Sequence, residues 1–142
     1  MKTHTSNFST YQPKRLAVKL STRGERYVAK GHPWIFSNSI QKINKSPETG
    51  DLAVIFRKSD NKFMGLGLYD NDSDISIKLL YHGSEPTQVN EIFFNSQIVN
   101  AYQKRSSLLR TKTNSYRLIF GESDGFPGLI ADVYDKVLVL KL

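Results

Sequence analysis

Residues 121–130 read Gly-Glu-Ser-Asp-Gly-Phe-Pro-Gly-Leu-Ile and follow the apolar run 116–120. A second apolar run starts at Leu129. Three glycines and one proline predict a loop of defined shape, because glycine reaches backbone conformations that other residues avoid and proline fixes φ. We therefore expect a shaped acidic loop between two strands, with an ordinary strand-connecting loop as the alternative.

The two carboxylates of this loop, Glu122 and Asp124, stand two residues apart, a spacing that is compatible with a paired acid and base role. No histidine, lysine or nucleophile stands beside them in a triad-like layout. A loop that caps a neighbouring domain or fixes a ligand is therefore favoured over independent catalysis. An ion pair with Arg105 or Arg117 is the structural alternative. The sequence predicts no catalytic residue in this chain.

The segments around the loop predict a long helix and a hairpin. Thr87 can cap a helix over residues 88–110, whose apolar side chains recur at helical spacing. Strands are expected at 116–120, 129–134 and 137–142, and the last two are joined by a tight turn at Asp135 and Lys136. The expected apolar face of the helix consists of Ile98, Ala101, Tyr102, Arg105, Leu108 and Leu109.

The first part of the chain predicts a mostly β unit. A short helix is expected at 23–29, because Thr22 and Glu25 have the spacing of a capping box and Gly31 can end the helix. Gly65 and Gly67 indicate a bulge or a close backbone approach inside a strand. Strands are expected at 16–20, 40–43, 51–56, 63–69 and 75–81.

These elements predict an α+β chain in three parts. Residues 1–13 are polar and are expected to form a flexible tail. Residues 14–83 are expected to form the β unit, and residues 84–142 a second domain, with 82–86 as the best linker. The strands within 63–81 could belong to either unit. If the strands within 63–81 belong to the second unit, that unit has the order β-β-α-β-β. The boundary between the two units is therefore left open.

The charge of the chain favours a polyanionic partner. The 142 residues carry a net charge of +7, which promotes steering and counterion release on nucleic acid. Residues 1–83 hold 13 Lys and Arg against 7 Asp and Glu, whereas residues 84–142 hold 7 against 6. Any anion-binding surface is therefore expected in the first part.

Six cations fall within residues 14–30 and are opposed there only by Glu25. Spread over a strand and a helix, they can present one positive surface, and arginine in particular grips phosphates through two hydrogen bonds. A solvated charged face is the alternative. The six are Lys14, Arg15, Lys19, Arg23, Arg26 and Lys30, with Arg57, Lys62 and Lys78 as outlying candidates.

Aromatic rings lie among these cations. Tyr27, His32 and Trp34 could stack on unpaired bases, as RNA recognition often requires. Trp34 stands in an apolar triplet with Ile35 and Phe36, which favours a buried core position for its indole.

Composition excludes several other classes. The chain has no cysteine, so it has no disulfide, thiolate metal site or cysteine nucleophile. The three histidines match no metal-site spacing, and we expect no metal. No apolar run is long enough for a bilayer, and the N-terminus lacks the apolar segment of a signal peptide. We therefore expect a cytoplasmic protein without a membrane partner.

Two segments together resemble a known family. Gly31-His32-Pro33-Trp34-Ile35-Phe36-Ser37 resembles the opening of the PUA domain in bacterial SAM-dependent methyltransferases that modify cytosine C5 of large-subunit ribosomal RNA. Residues 116–134 are similar to the middle-domain signature of the same family. The two segments occur in the family's order and spacing, and the match spans nearly everything from residue 14 to residue 142.

The resemblance implies a fold and a function. It implies an N-terminal PUA-like β pseudo-barrel that grips RNA, then a small β-β-α-β-β domain. A Rossmann-like catalytic domain with the SAM site and the catalytic cysteine would follow, and it is absent from this chain. The expected loop against that domain consists of Glu122, Asp124, Gly125, Pro127 and Gly128.

The leading hypothesis is therefore the RNA-binding portion of a SAM-dependent 23S rRNA methyltransferase, truncated before its catalytic domain. The piece alone needs no cofactor and is not an enzyme, whereas the full-length protein would use S-adenosylmethionine. Its partner would be ribosomal RNA, with His32 and Trp34 shaping the RNA-facing turn. Two alternatives are a standalone PUA-type RNA-binding adaptor and a β-mediated dimerisation module in which 137–142 pairs with a second copy.

Overall fold

The computed structural model describes residues 12–142, so the expected tail lies outside the described residues up to residue 11. The described chain forms two sheets. The strands are β1 Arg15–Leu20, β2 Trp34–Ile35, β3 Ile40–Ile43, β4 Leu52–Phe56, β5 Phe63–Tyr69, β6 Ile77–His82, β7 Ser115–Phe120, β8 Ile130–Tyr134 and β9 Val137–Lys141. The helices are α1 Thr22–Ala29, α2 Glu91–Lys104 and α3 Ser106–Leu109, with 3₁₀ turns at Ser37–Ser39 and Gly121–Asp124.

The first sheet has six strands in the order β2-β6-β5-β4-β1-β3. The pairing of β1 with β4 is parallel, and the other pairs are antiparallel. Alternation along β1 buries Leu16, Val18 and Leu20 completely, while Lys19 on the opposite face reaches solvent. Val28 of α1 joins this core. The strands predicted for this part are confirmed to within two residues at either end.

The glycines of β5 allow the close strand approach that the sequence predicted. A Cβ at Gly67 would lie 2.5 Å from the carbonyl oxygen of Lys78, and one at Gly65 would lie 2.7 Å from that of Tyr81. The register between β5 and β6 shifts at Leu66 and Gly67. Both glycines are therefore fixed by backbone contact, and the predicted bulge is confirmed.

Helix α1 begins one residue earlier than predicted. Ser21, rather than Thr22, is its N-cap, and the Ser21 hydroxyl accepts a hydrogen bond from Gly24 N at 3.2 Å. Glu25 accepts a hydrogen bond from Lys58 N instead of closing a capping box. The predicted box was wrong because a tertiary partner takes the glutamate.

The second sheet has three antiparallel strands in the order β7-β8-β9. Ala101 of α2 packs against Ile119 and Ala131 of this sheet. Phe94 stacks on Phe126 with ring centroids 5.9 Å apart. It also packs against the cluster of Leu66 and its neighbours in the first sheet, so Phe94 joins the two apolar clusters.

The predicted helix 88–110 was too long at both ends. Asn90, rather than Thr87, caps α2, because its side-chain oxygen accepts a hydrogen bond from Phe93 N at 2.9 Å. The helix ends at Lys104, and α3 follows as a separate turn. At this break Arg105 N bonds Tyr102 O at 3.0 Å, three residues back, and its guanidinium turns towards Asp124.

Of the six residues predicted for the apolar face of this helix, Ala101, Arg105 and Leu109 are buried or partly buried, whereas Ile98, Tyr102 and Leu108 are exposed. Ile98 and Tyr102 are 40% and 51% exposed, whereas Ala101 is 1% exposed. Gln97, which was not predicted, is also partly buried. A polar residue therefore takes part in the contact with the sheet, and a pattern of apolar residues could not reveal it.

The β-β-α-β-β order expected for the second unit is not observed after residue 84. That range holds α2, α3 and three consecutive strands. The two strands that could have opened the unit, β5 and β6, pair within the six-stranded sheet. Their glycines and apolar residues pack there, and this assigns them to the first unit.

Candidate nucleic-acid interface

Helix α1 and its C-cap residue Lys30 present three cations on one face. Arg23, Arg26 and Lys30 are exposed and are spaced three and four residues apart, so they lie on the same side of the helix. Gly24 and Val28 are buried on the opposite side. Burial of that apolar side orients the cations outward.

The turn between β4 and β5 lies beside this face. Lys58 N donates to Glu25 of α1, and Lys19 Nζ at the end of β1 donates to Arg57 O at 2.9 Å. Arg57 lines a cleft together with Ala29 of α1. We call the resulting region the cationic surface: Lys19, Arg23, Arg26, Lys30, Arg57, Lys58 and Lys62.

Acidic groups neutralise only part of the cationic surface. Asp60 bonds Arg57 at 3.1 Å and lies 4.0 Å from Lys62 Nζ. The hydrogen bond from Lys62 N, helped by these cations, lowers the pKa of Asp60. Among residues 12–142, no ion pair is formed by Arg23, Arg26 or Lys30. The side chains on α1 therefore keep their charges available for an anion.

Three predicted cations lie away from this surface. Lys14 pairs with Glu48 at 2.6 Å, and Lys78 pairs with Asp70 at 2.5 Å. Arg15 stands opposite Leu52 whereas Lys19 stands opposite Phe56, so Lys14 and Arg15 lie at the far end of β1. The eleven residues predicted to contact RNA therefore do not lie on one surface. Six of them lie on the cationic surface: Lys19, Arg23, Arg26, Lys30, Arg57 and Lys62.

The aromatic residues form a row beside α1. The ring centroids of Tyr27 and His32 lie 5.4 Å apart, and those of His32 and Trp34 lie 6.2 Å apart. Trp34 is 37% exposed, so the prediction of a core position was wrong. Its neighbour Ile35 is buried instead, because successive residues of a strand point to opposite faces. The Trp34 indole Nε1 donates to Glu122 at 3.1 Å.

A cavity of about 370 Å³ opens between α1 and the Ser37–Ser39 turn. Arg23, Tyr27 and His32 line it from α1 and the loop that follows. Phe36 and Asn38 line it from the turn. The sequence did not indicate Phe36, Asn38 and Lys58 as members of the candidate site. No local sequence pattern shows that exposed residues from separate elements lie side by side in the fold.

Asp124 anchors the 121–130 loop. Its carboxylate receives two hydrogen bonds from the Arg105 guanidinium, at 2.8 and 2.6 Å, and one from Phe120 N at 2.8 Å. Lys104 Nζ adds a fourth at 3.0 Å. Burial alone would raise the pKa of Asp124, but these donors outweigh it and lower the pKa to about 2. The ion pair with Arg105 is confirmed, whereas Arg117 pairs with Asp132 at 2.8 Å.

This geometry makes Asp124 a structural carboxylate. It is 6% exposed and its oxygens are occupied by donors, so it lacks the access that proton transfer to a substrate needs. Gly125 closes the turn with φ of 78°, and a Cβ there would lie 2.2 Å from Gln97 Nε2. Pro127 is partly buried and Gly128 is exposed. The role of this loop against a further domain stays a prediction.

Within the described range, no three His, Cys, Asp or Glu side chains gather as metal ligands would. No helix in that part of the chain is long and apolar enough to cross a bilayer. The candidate functional site is therefore the cationic surface together with the adjoining cavity and its aromatic lining.

Residues 18–82 match a family described as the PUA-like domain. This range runs from within β1 to the end of β6, so the matched residues are those of the six-stranded sheet and α1.

The similarity extends beyond this domain to longer proteins. The chain is 37% identical over 133 residues to a ribosomal RNA large subunit methyltransferase of Deinococcus radiodurans, covering 90% of this chain and 32% of that protein. It is 36% identical over 129 residues to ribosomal RNA large subunit methyltransferase I of Shewanella frigidimarina, with 89% and 32% covered. The chain thus spans about a third of the length of these relatives. The resemblance seen in the sequence is confirmed.

Solved structures share the fold. A Streptococcus mutans protein described as a SAM-dependent methyltransferase superposes with a TM-score of 0.73 at 18% identity, covering 87% of this chain and 32% of that one. A protein described as a methyltransferase, solved with SAH, gives 0.72 at 19% identity, covering 89% and 32%.

Proposed function

We propose that this chain is the RNA-binding portion of a SAM-dependent methyltransferase that modifies a base of large-subunit ribosomal RNA. The observation that supports this most is the cationic surface, which lies within the residues that match the PUA-like domain and on which Arg23, Arg26 and Lys30 have no acidic partner among the described residues. The names of the relatives supply the substrate class.

In this proposal the two sheets have different roles. Residues 14–83 hold RNA, while residues 84–142 join them to a catalytic domain that binds S-adenosylmethionine. Glu122, Gly125, Pro127 and Gly128 face that domain, and Asp124 holds their loop in shape. The protein acts in the cytoplasm on ribosomal RNA. A standalone RNA-binding adaptor would use the same surface without the methyl transfer.

A salt titration with charge reversal tests RNA binding. The double variant Arg26→Glu and Lys30→Glu removes two exposed cations of α1, and we expect it to weaken binding of a ribosomal RNA fragment at least about tenfold in low salt. The slope of log affinity against log salt should fall by about one to two, because each phosphate contact contributes roughly 0.7 to 0.9. Fluorescence anisotropy at several salt concentrations measures both quantities.

The matched control places the same charge change on the second unit. Arg110 and Lys112 are exposed there, and Arg110→Glu with Lys112→Glu should leave most of the affinity and the slope intact. Equal losses in both double variants would mean that net charge, not the cationic surface, holds the RNA. An affinity for RNA that does not change with salt concentration would contradict the proposal altogether.

A further inference from the structure

The cavity beside α1 has the size and lining of a site for one small planar group. Its volume of about 370 Å³ falls within the range of roughly 300–1,000 Å³ that small-molecule sites occupy. Aromatic rings and neutral polar groups line it together with Arg23, and no carboxylate of the described residues does so. An anionic ligand with a flat ring therefore meets no repulsion here.

The aromatic residues supply flat surfaces for such a ring. Tyr27 and His32 stand side by side, and Phe36 lines the same cavity while 39% exposed. Stacking on aromatic side chains is tolerant of base identity, because every nucleobase has a π-face. Trp34 does not line the cavity, since its indole turns to Glu122.

Arg23 is held at the rim by its own neighbour. Its Nε donates to the Tyr27 hydroxyl at 2.9 Å, and its guanidinium carbon lies 5.5 Å from the centroid of the Tyr27 ring. No carboxylate in the described chain pairs with it. The terminal nitrogens of a guanidinium fixed in this way suit a phosphate.

Asn38 supplies a polar group at the other wall. Its side-chain oxygen accepts a weak hydrogen bond from the Ser39 hydroxyl at 3.4 Å. A carboxamide both donates and accepts, so it can meet the edge of a base. The cavity thus combines stacking, phosphate pairing and edge contact within one small volume.

We propose that this cavity binds a single unpaired nucleotide displaced from an RNA helix, with its base among Tyr27, His32 and Phe36 and its phosphate on Arg23. This inference rests on the proposed RNA-binding function. It adds that the PUA-like domain selects RNA by an unstacked nucleotide, since a base within a duplex exposes no free face to the rings.

Two RNA hairpins of equal length test this proposal, one fully paired and one with a single bulged 2-aminopurine. We expect the chain to bind the bulged hairpin about tenfold more tightly and to quench its fluorescence. Phe36→Ala and Asn38→Ala should each reduce the preference, Phe36→Ala to within about twofold, while affinity for the paired hairpin stays unchanged. Asn95→Ala, at an exposed position of α2 that does not line the cavity, is the matched control for Asn38→Ala and should keep the preference.

The outcomes separate the two proposals. Equal binding of both hairpins by the unmodified chain, or an undiminished preference in Phe36→Ala, would overturn the nucleotide pocket but leave RNA binding intact. Failure to bind either hairpin would instead overturn the proposed function. Unchanged affinity of each variant for the paired hairpin shows that it is folded. Displacement of the bulged hairpin by equally low concentrations of free adenosine monophosphate would overturn the requirement for an RNA-borne nucleotide.

Discussion

Asp124 shows how one carboxylate can shape a functional loop without acting chemically. Its four hydrogen bonds join the end of α2 to the turn after β7. The sequence indicated Arg105 and Arg117 as possible partners, and the structure pairs Asp124 with Arg105. The sequence could not predict the donor Phe120 N, since backbone donors carry no sequence signal.

The lowered pKa of Asp124 predicts a pH dependence of stability. A carboxyl whose pKa falls from 3.8 to about 2 on folding stabilises the fold above pH 4. That stability is lost as the pH falls through about 2. Asp124→Asn should lower the free energy of unfolding at pH 7 by about 2 kcal/mol and should flatten this decline. Urea unfolding at pH 7 and between pH 4 and 2 measures both effects.

Asp132 supplies the control for this prediction. Its hydrogen bond with Arg117 lowers its pKa as well, but the pair lies nearer the solvent. Asp132→Asn should therefore cost less at pH 7 than Asp124→Asn. If Asp124→Asn and the unmodified chain lost stability in parallel below pH 4, Asp124 would not be the responsible group.

At the scale of elements, alternation and turn residues predicted most strands, whereas the predicted ends of helix α2 were wrong. Period-two alternation locates β1, whereas β4 and β5 place apolar residues in both clusters and are recognised as apolar runs bounded by turns. The limits of α2 depend on Asn90 and on the turn of Arg105, which are individual contacts. Sequence patterns do not show which of several polar residues caps a helix.

Strand β9 leaves apolar surface and one edge uncovered in the described chain. Its residues Val137, Leu138, Val139 and Leu140 are 48–60% exposed, and β9 pairs only with β8. An open apolar edge is a template for pairing with another strand. We therefore expect this 142-residue chain to self-associate, and sedimentation at rising concentration measures the effect.

A lysine on β9 should weaken this association. Val139→Lys places a charge on the exposed face of the strand, while Ile92→Lys makes the same change at an exposed position of α2. Val139→Lys should shift the chain to monomer, and Ile92→Lys should not. A monomeric unmodified chain at high concentration would rule out β9 as a pairing edge.

At the scale of the whole molecule, pairing between distant segments determined what the sequence could not show. The parallel contact of β1 with β4 and the contact of β2 with β6 bring the cationic surface and the aromatic cavity together. Charge counts placed the anion-binding region in the first part. Charge counts could not show that Lys14 and Arg15 lie on a different surface from the cations of α1, because the distance between them follows from the register of β1 on β4.

The relatives that suggest the proposed activity are about three times the length of this chain, so its test uses the full-length protein that the proposal assumes. A strain that lacks the full-length protein should lose methylation at one nucleotide of its large-subunit ribosomal RNA. Mass mapping of that RNA would detect the loss. Return of the full-length gene should restore the methyl group, and an unaltered methylation pattern in the deletion strain would contradict the proposal.

The bond between Trp34 and Glu122 has a practical consequence. Trp34 is the chain's single tryptophan, and it lies where the six-stranded sheet meets the loop of the second sheet. Indole emission responds to its surroundings, so the intrinsic fluorescence of this chain reports from one known junction. The molecule therefore carries its own optical probe for any event that parts the two sheets.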